Sequence, residues 1–181
     1  MFYLDNTSEI LTVISQLASY QILWLDTEVA DYSTYSPKLS LIQVLTDSND
    51  LTGDSVYILD VFQQPDLAEA FISQIMTNAN IEKVFHHSDF DLRYLGRTQA
   101  RNITCTYKIA RKISPSRLGT SNLKLKTLAK ELCGFTDVDT EEGKSDWGKR
   151  PLSIKQLQYA KMDTVYLAQV HLYLNKWIES N

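Results

Sequence analysis

The apolar run Ile22-Leu23-Trp24-Leu25 passes directly into Asp26-Thr27-Glu28. The run reads as a buried strand, and alternate residues of a strand point to the same face, so Asp26 and Glu28 project together from its end. Charge is costly behind a buried strand. Two anions this close also raise one another's proton affinity unless a cation sits between them. A hard divalent ion that prefers oxygen ligands, such as Mg²⁺ or Mn²⁺, would remove that cost. Position is what distinguishes this pair. With 22 acids in 181 residues, chance supplies roughly 2.6 acid-x-acid pairs, and the chain has three others, Asp89/Asp91, Asp137/Asp139 and Asp139/Glu141.

Around this run the sequence resolves into alternating elements. Ile10, Leu11, Ile14 and Leu17 at helical spacing predict a helix over Thr7 to Ser19. Ile22 to Glu28, Ser40 to Thr46 and Val56 to Leu59 read as strands joined as antiparallel neighbours. A helix over Asp66 to Thr77, a strand over Lys83 to His86, a helix over Ser88 to Leu95 and a short strand over Ile103 to Cys105 follow. That alternation signals a crossover and a mixed sheet. Helices are then expected over Thr106 to Ile113, Leu123 to Cys133 and Ser153 to Ile178. The polar stretch Gly134 to Arg150 is the longest loop, and such loops are usually functional or mobile. The expectation is one α/β domain over residues 1–181: three antiparallel strands, further strands added in parallel, and helices on both faces.

Composition narrows the function classes. A formal charge of −4 argues against a protein that coats long duplex DNA. An acidic site that gathers cations is compatible with it. No apolar run approaches the ~20 residues of a membrane span, and the first residues lack a secretory pattern. Cys105 and Cys133 form no CxxC or Cys/His cluster, which fits reduced thiols and a cytoplasmic location.

Two further segments carry chemistry. Tyr159-Ala160-Lys161-Met162-Asp163 sets a phenol and a carboxylate at i and i+4, one helical turn apart on one face. In His86-His87-Ser88-Asp89-Phe90-Asp91-Leu92, Ser88 can cap a helix with Asp91 as its capping-box partner. A carboxylate there can equally lean over the strand ends, where ligands gather in α/β sheets. Spacing alone does not choose between Asp89 and Asp91.

The ordered set Asp26-Thr27-Glu28, Phe90-Asp91 and Tyr159-x-x-x-Asp163 resembles the DEDDy exonucleases. Leu25 to Glu28, Tyr35-Ser36-Pro37-Lys38-Leu39-Ser40-Leu41-Ile42-Gln43, Lys83-Val84-Phe85-His86, Ser145-Asp146-Trp147 and Arg150-Pro151-Leu152 are similar to ribonuclease D, over roughly Leu23 to Leu172. Phe90-Asp91-Leu92 and Cys105 to Lys112, in so short a chain, also resemble stand-alone oligoribonucleases. One departure is the loop lysine that family members often carry before Ser-Asp-Trp, kept here only as Lys144.

The resemblance implies a ribonuclease H-like fold without the C-terminal HRDC-type domain of larger relatives, and a 3′-5′ exonuclease. It implies Asp26, Glu28 and Asp163 on one metal ion, and Asp26 and Asp91 on a second. Two such ions clamp the attacking and leaving oxygens of an in-line displacement. Tyr159 is expected to orient the attacking water. The implied partner is single-stranded or short RNA, with DNA the alternative substrate; self-association is open, because no heptad marks an interface. A catalytically inactive nucleic-acid-binding module and a purely structural subunit are the rival classes. Thr27, Leu41, His86 and Phe90, with Phe85 beside them, are candidates for substrate contact, and core packing is the competing account of each. Lys124, Lys126 and Lys130, with Arg111, Lys112 and Arg117, form the only basic concentration. It reads first as solvated helix faces and second as a phosphate track. Trp147 reads as a packing anchor.

Overall fold

The run through Leu23 becomes a central strand in the computed structural model, which describes residues 1–180. Strand β2 (Ile22–Ala30) lies between β3 (Lys38–Leu45), antiparallel to it, and β5 (Glu82–Phe85), parallel to it. β4 (Tyr57–Asp60) pairs antiparallel with β3, and β1 (Phe2–Leu4) pairs parallel with β4. On the other side β6 (Ile103–Cys105) pairs parallel with β5. The order β1-β4-β3-β2-β5-β6 is the expected ribonuclease H-like mixed sheet, three antiparallel strands extended by parallel ones.

Strand alternation divides the core between the two faces. Leu23 and Leu25 pack with Ile10 and Ile14 of helix α1 (Thr7–Leu17) and with Phe71 of α2 (Pro65–Phe71). Trp24 points to the other face, where Leu41, Leu45, Ile58 and Val84 meet Ala160, Val165 and Ala168 of a long helix. Asp26 and Glu28 follow Trp24 in the same alternation, so both carboxylates lie under that helix. Short helices α3 (Ser88–Asp91), α4 (Thr106–Ile113) and α5 (Pro115–Leu118) follow in chain order, then α6 (Leu125–Cys133). The long helix is α7 (Ile154–Glu179), opened by a capping box between Ser153 and Gln156. Its outer side packs on α4 and α6 through Val170, Leu174, Ala110 and Leu128.

Several expected boundaries shift for physical reasons. The helix expected to run from Asp66 to Thr77 ends as α helix at Phe71 and continues as a π turn, Ile72–Met76. The helix expected over Ser88 to Leu95 is one turn long. It continues in i to i−3 bonds, Arg93 N–H to Phe90 and Tyr94 N–H to Asp91, which bring Leu95 fully into the core. The capping box between Ser88 and Asp91 does not form. His87 holds the cap position in a left-handed conformation, φ 64°, with no side-chain cap bond. β1 and α5 have no counterpart in the sequence reading; at three and four residues they are too short to show a period. Both cysteines are free thiols.

The long loop before α7 is pinned to the sheet. Arg150 donates from Nη2 to Asp60 Oδ1 at 2.7 Å and from Nη1 to the Trp147 carbonyl at 2.9 Å. Ser40 Oγ donates to the same carbonyl at 2.6 Å, at the place where the β2/β3 register shifts after Glu28. Irregularities of this kind re-aim side chains beside functional sites. Asp60 is buried, and its only other side-chain donor in this network is the Tyr3 hydroxyl. Arg150→Met therefore leaves a buried carboxylate without its counter-charge. Discounted for the partly exposed guanidinium, the expected loss is roughly 2–3 kcal/mol, read as a lower urea midpoint; a wild-type midpoint would refute the pinning role.

Candidate active site

The face of β2 that carries Trp24 ends in the acids, and α7 crosses it at Asp163. One carboxylate oxygen from each of Asp26, Glu28 and Asp163 lies within 4.8 Å of the other two. Glu28 and Asp163 are buried and Asp26 is partly exposed. Asp91 reaches the same cleft from α3, oriented by Thr27, whose hydroxyl donates to Asp91 Oδ1 at 2.7 Å. It stands outside the tight trio. Asp89, its rival by spacing, is exposed and pairs with Lys108 at 2.9 Å. Tyr159, a turn before Asp163, lines the cleft with the four acids.

Burial is the largest influence on every acid here. It pushes Asp26 and Glu28 well above the usual carboxylate range, reinforced for Asp26 by Asp91 and Asp163 and for Glu28 by Asp26 and Asp163. Asp91 is raised to about 7, against the opposing hydrogen bond from Thr27. Asp163 is raised to about 6, against the opposing charge of Lys126. The Tyr159 phenol is held far above its ordinary value by burial and by Asp163, Glu28 and Asp26. Three converging carboxylates are the donor set a hard divalent ion takes. Asp163 Oδ1 is also buried, and its neighbour is the Lys126 ammonium at 3.0 Å. The residues present fit a divalent cation.

Two adjoining clefts meet at Glu28. One, of about 680 Å³, is walled by Thr27, Glu28, Tyr32, Phe90, Gly143 and Trp147. The other, of about 450 Å³, holds the four acids with His86, His87, Lys124 and Lys126. Phe90 borders both, with its ring 5.9 Å from that of Tyr32. His86 lines the second cleft, yet both ring nitrogens are engaged, Nδ1 with Thr106 Oγ1 at 2.8 Å and Nε2 with the Leu123 carbonyl at 3.0 Å. Burial lowers its pKa to about 4, so the neutral ring accepts from Thr106 and donates to Leu123. Thr27 borders both clefts with its hydroxyl committed to Asp91. Leu41 and Phe85 are fully buried: for these two, core packing is the account the structure gives.

Three contributors have no signature in the sequence. Lys126, which reads only as part of a basic run, enters the acid cluster. Tyr32 supplies an aromatic wall from the β2/β3 connection. Gly143 passes so close to Tyr159 that an added Cβ would stand 2.5 Å from the hydroxyl. Contacts between distant segments leave no local period to read. Trp147 anchors the loop as expected, 2% exposed, with its ring 6.1 Å from that of Tyr159.

A family model described as a 3′-5′ exonuclease matches residues 1–179. Ribonuclease D of Shewanella sp. (strain ANA-3) is 31% identical over 171 residues, 93% of this chain and 41% of the relative. The chain spans about two fifths of the length of the curated ribonuclease D relatives it matches. Among solved structures, the Nibbler EXO domain of Aedes aegypti superposes with a TM-score of 0.81 at 19% identity, covering 99% of this chain and 88% of that one. Brucella melitensis NrnC bound to pGG superposes with a TM-score of 0.69 at 23% identity, covering 90% and 76%.

The raised carboxylates make the ion-free protein pH-sensitive. In the unfolded chain Asp91 and Asp163 ionise near pH 4, whereas folded they hold their protons to about pH 7 and about pH 6. Their contribution is therefore fully present below pH 4 and is lost as pH rises through 6 and 7. In EDTA the melting temperature should fall over that window, and Mn²⁺ should restore it at pH 7.5; a flat profile would contradict the buried cluster. Gly143→Ala should displace the Tyr159 hydroxyl and lower any metal-dependent phosphodiester hydrolysis at this site by about 10- to 100-fold without changing Mn²⁺ affinity measured by calorimetry.

Proposed function

This chain belongs to the 3′-5′ exonuclease family, and from that premise we propose that it releases nucleotides from the 3′ end of single-stranded or short RNA by hydrolysing the terminal phosphodiester. The observation that carries the reading is the convergence of Asp26, Glu28 and Asp163, with Asp91 and Tyr159 on the same cleft wall. In this reading the four carboxylates hold two divalent ions, Mg²⁺ or Mn²⁺, with Asp26, Glu28 and Asp163 on one and Asp26 and Asp91 on the other. Bound there, such ions supply a polarised water and charge compensation at the phosphate.

The protein groups divide the remaining work. Asp26 and Glu28, fixed by a buried strand, and Asp163, fixed by α7, set the ligand geometry without loop motion. Thr27 keeps one oxygen of Asp91 engaged and so fixes its orientation. Tyr159 is a neutral phenol at physiological pH, as an unperturbed phenol of pKa about 10 already is, and burial beside Asp163, Glu28 and Asp26 holds it further above that value. It therefore orients the attacking water through its hydroxyl and does not serve as a strong base. The cleft bounded by Tyr32, Phe90 and Trp147 receives the terminal nucleoside of a splayed single strand, against aromatic side chains. Open clefts on a chain of modest basicity suit a short substrate. NrnC bound to pGG, a neighbour in fold, supports that length class. A cytoplasmic setting belongs to the same reading, supported by the two free thiols.

Product analysis on 5′-labelled RNA from dinucleotides to long strands, beside matched DNA, tests polarity, sugar and length together. A 3′-end ladder dependent on Mg²⁺ or Mn²⁺ is expected, whereas internal cuts or full activity in EDTA would overturn the proposal. Tyr159→Phe should reduce kcat by about 10²-fold with Mn²⁺ binding intact. Asp26→Asn should lose ion binding and activity together, and an Asp26→Asn protein that still binds Mn²⁺ like the wild type would remove Asp26 from the ligand set.

A further inference from the structure

The geometry points to Lys126 as the resident counter-cation of the carboxylate cluster, an ammonium group that must leave Asp163 before a divalent ion can be held there. This inference rests on the metal-centre reading above and adds a competitor to it.

Lys126 lies in the first turn of α6, where the helix dipole disfavours a cation. Its own helix gives no reason for a lysine at this position; the acid cluster does. The side chain is only 16% exposed and its ammonium has three partners. It lies 3.0 Å from Asp163 Oδ1, donates to the Asp139 carbonyl at 2.7 Å, and sits 3.2 Å from the centre of the Tyr159 ring. Its charge also bears on Asp26 and Glu28. A single cation thus offsets part of the repulsion among three carboxylates that share less than 5 Å of space.

An ammonium and a divalent ion on the same carboxylate repel each other at this range, so one displaces the other. The Lys126 contact is suited to exchange. A flexible four-carbon stem lets the ammonium move while α6 stays in place. The same ammonium touches Asp139, in the loop that also carries Gly143, and the Tyr159 ring. Ion loading is thereby coupled to the loop that walls the cleft and to the residue that orients water. Lys126 is a positioning residue in this account, acting through Asp163, Tyr159 and the loop.

Two measurements on the whole chain test this. In the first, the wild-type protein is labelled with an amine-reactive succinimidyl ester, in EDTA and in Mn²⁺ without nucleic acid, and modification is read by peptide mass spectrometry. Labelling of Lys126 should rise severalfold with Mn²⁺ while that of the exposed Lys108 stays constant. In the second, calorimetric Mn²⁺ titrations compare wild type with Lys126→Met and Lys126→Arg. Lys126→Met should bind Mn²⁺ about tenfold more tightly, equivalent to about 1.4 kcal/mol, and melt at a lower temperature in EDTA. Lys126→Arg, which keeps the charge and tolerates the fold if Lys126→Met does not, should gain no affinity. Unchanged Lys126 labelling on ion binding overturns the inference and leaves the metal centre standing, as does equal or weaker binding by Lys126→Met. An absence of Mn²⁺ binding in the wild type overturns both.

Discussion

Repulsion among carboxylates at the end of a buried strand is the constraint on which this molecule turns. Asp26 and Glu28 have little freedom to separate, because β3 pairs with β2 at both positions and the other face of β2 is sealed by the Leu23 and Leu25 core. Asp163 is equally fixed on a helix that packs along the sheet. Burial raises the proton affinity of every member, and proximity adds to it for Asp26 and Glu28. The site is therefore a preorganised demand for positive charge. Lys126 supplies a part of it in the structure described, and in the proposed chemistry divalent ions take its place. A site whose ligands are already in place avoids the reorganisation that a flexible one would undergo on binding.

The walls around this centre are built differently. Tyr32 comes from a strand connection, Phe90 from a one-turn helix, and Gly143 and Trp147 from the long loop ahead of α7. None belongs to a long regular element, so their placement depends on pins: Arg150 and Ser40 on the loop, Thr27 on Asp91, Thr106 and the Leu123 carbonyl on His86. A rigid ligand set beside adjustable walls is the division of labour expected where one chemistry serves different substrates. The curated relatives are longer than this chain, and the shared segment is the part that carries the acids.

The sequence by itself determined the elements whose pattern is local. The apolar run before Asp26 specified a buried strand. Alternation put Asp26 and Glu28 on one face, and the four-residue spacing of Tyr159 and Asp163 put them on one side of a helix. The mixed sheet followed from the order of strands and helices. Asp91 was legible only through family resemblance, since Asp89 has the same local claim.

Tertiary structure alone decided which surface covers which. Leu41 has an alternating, strand-like setting whether it faces a ligand or a helix, and only the packing of α7 buries it. Lys126 is an ordinary helical lysine until the fold lays α6 beside Asp163, and Gly143 is an unremarked loop residue until Tyr159 closes on it. Periodicity reports the direction of a side chain relative to its own backbone, within one or two turns or strands. The partner on that side arrives from beyond that range, several turns away for Gly143 and Tyr159 and far along the chain for Asp26 and Asp163 or Arg150 and Ser40, and no local pattern encodes that arrival.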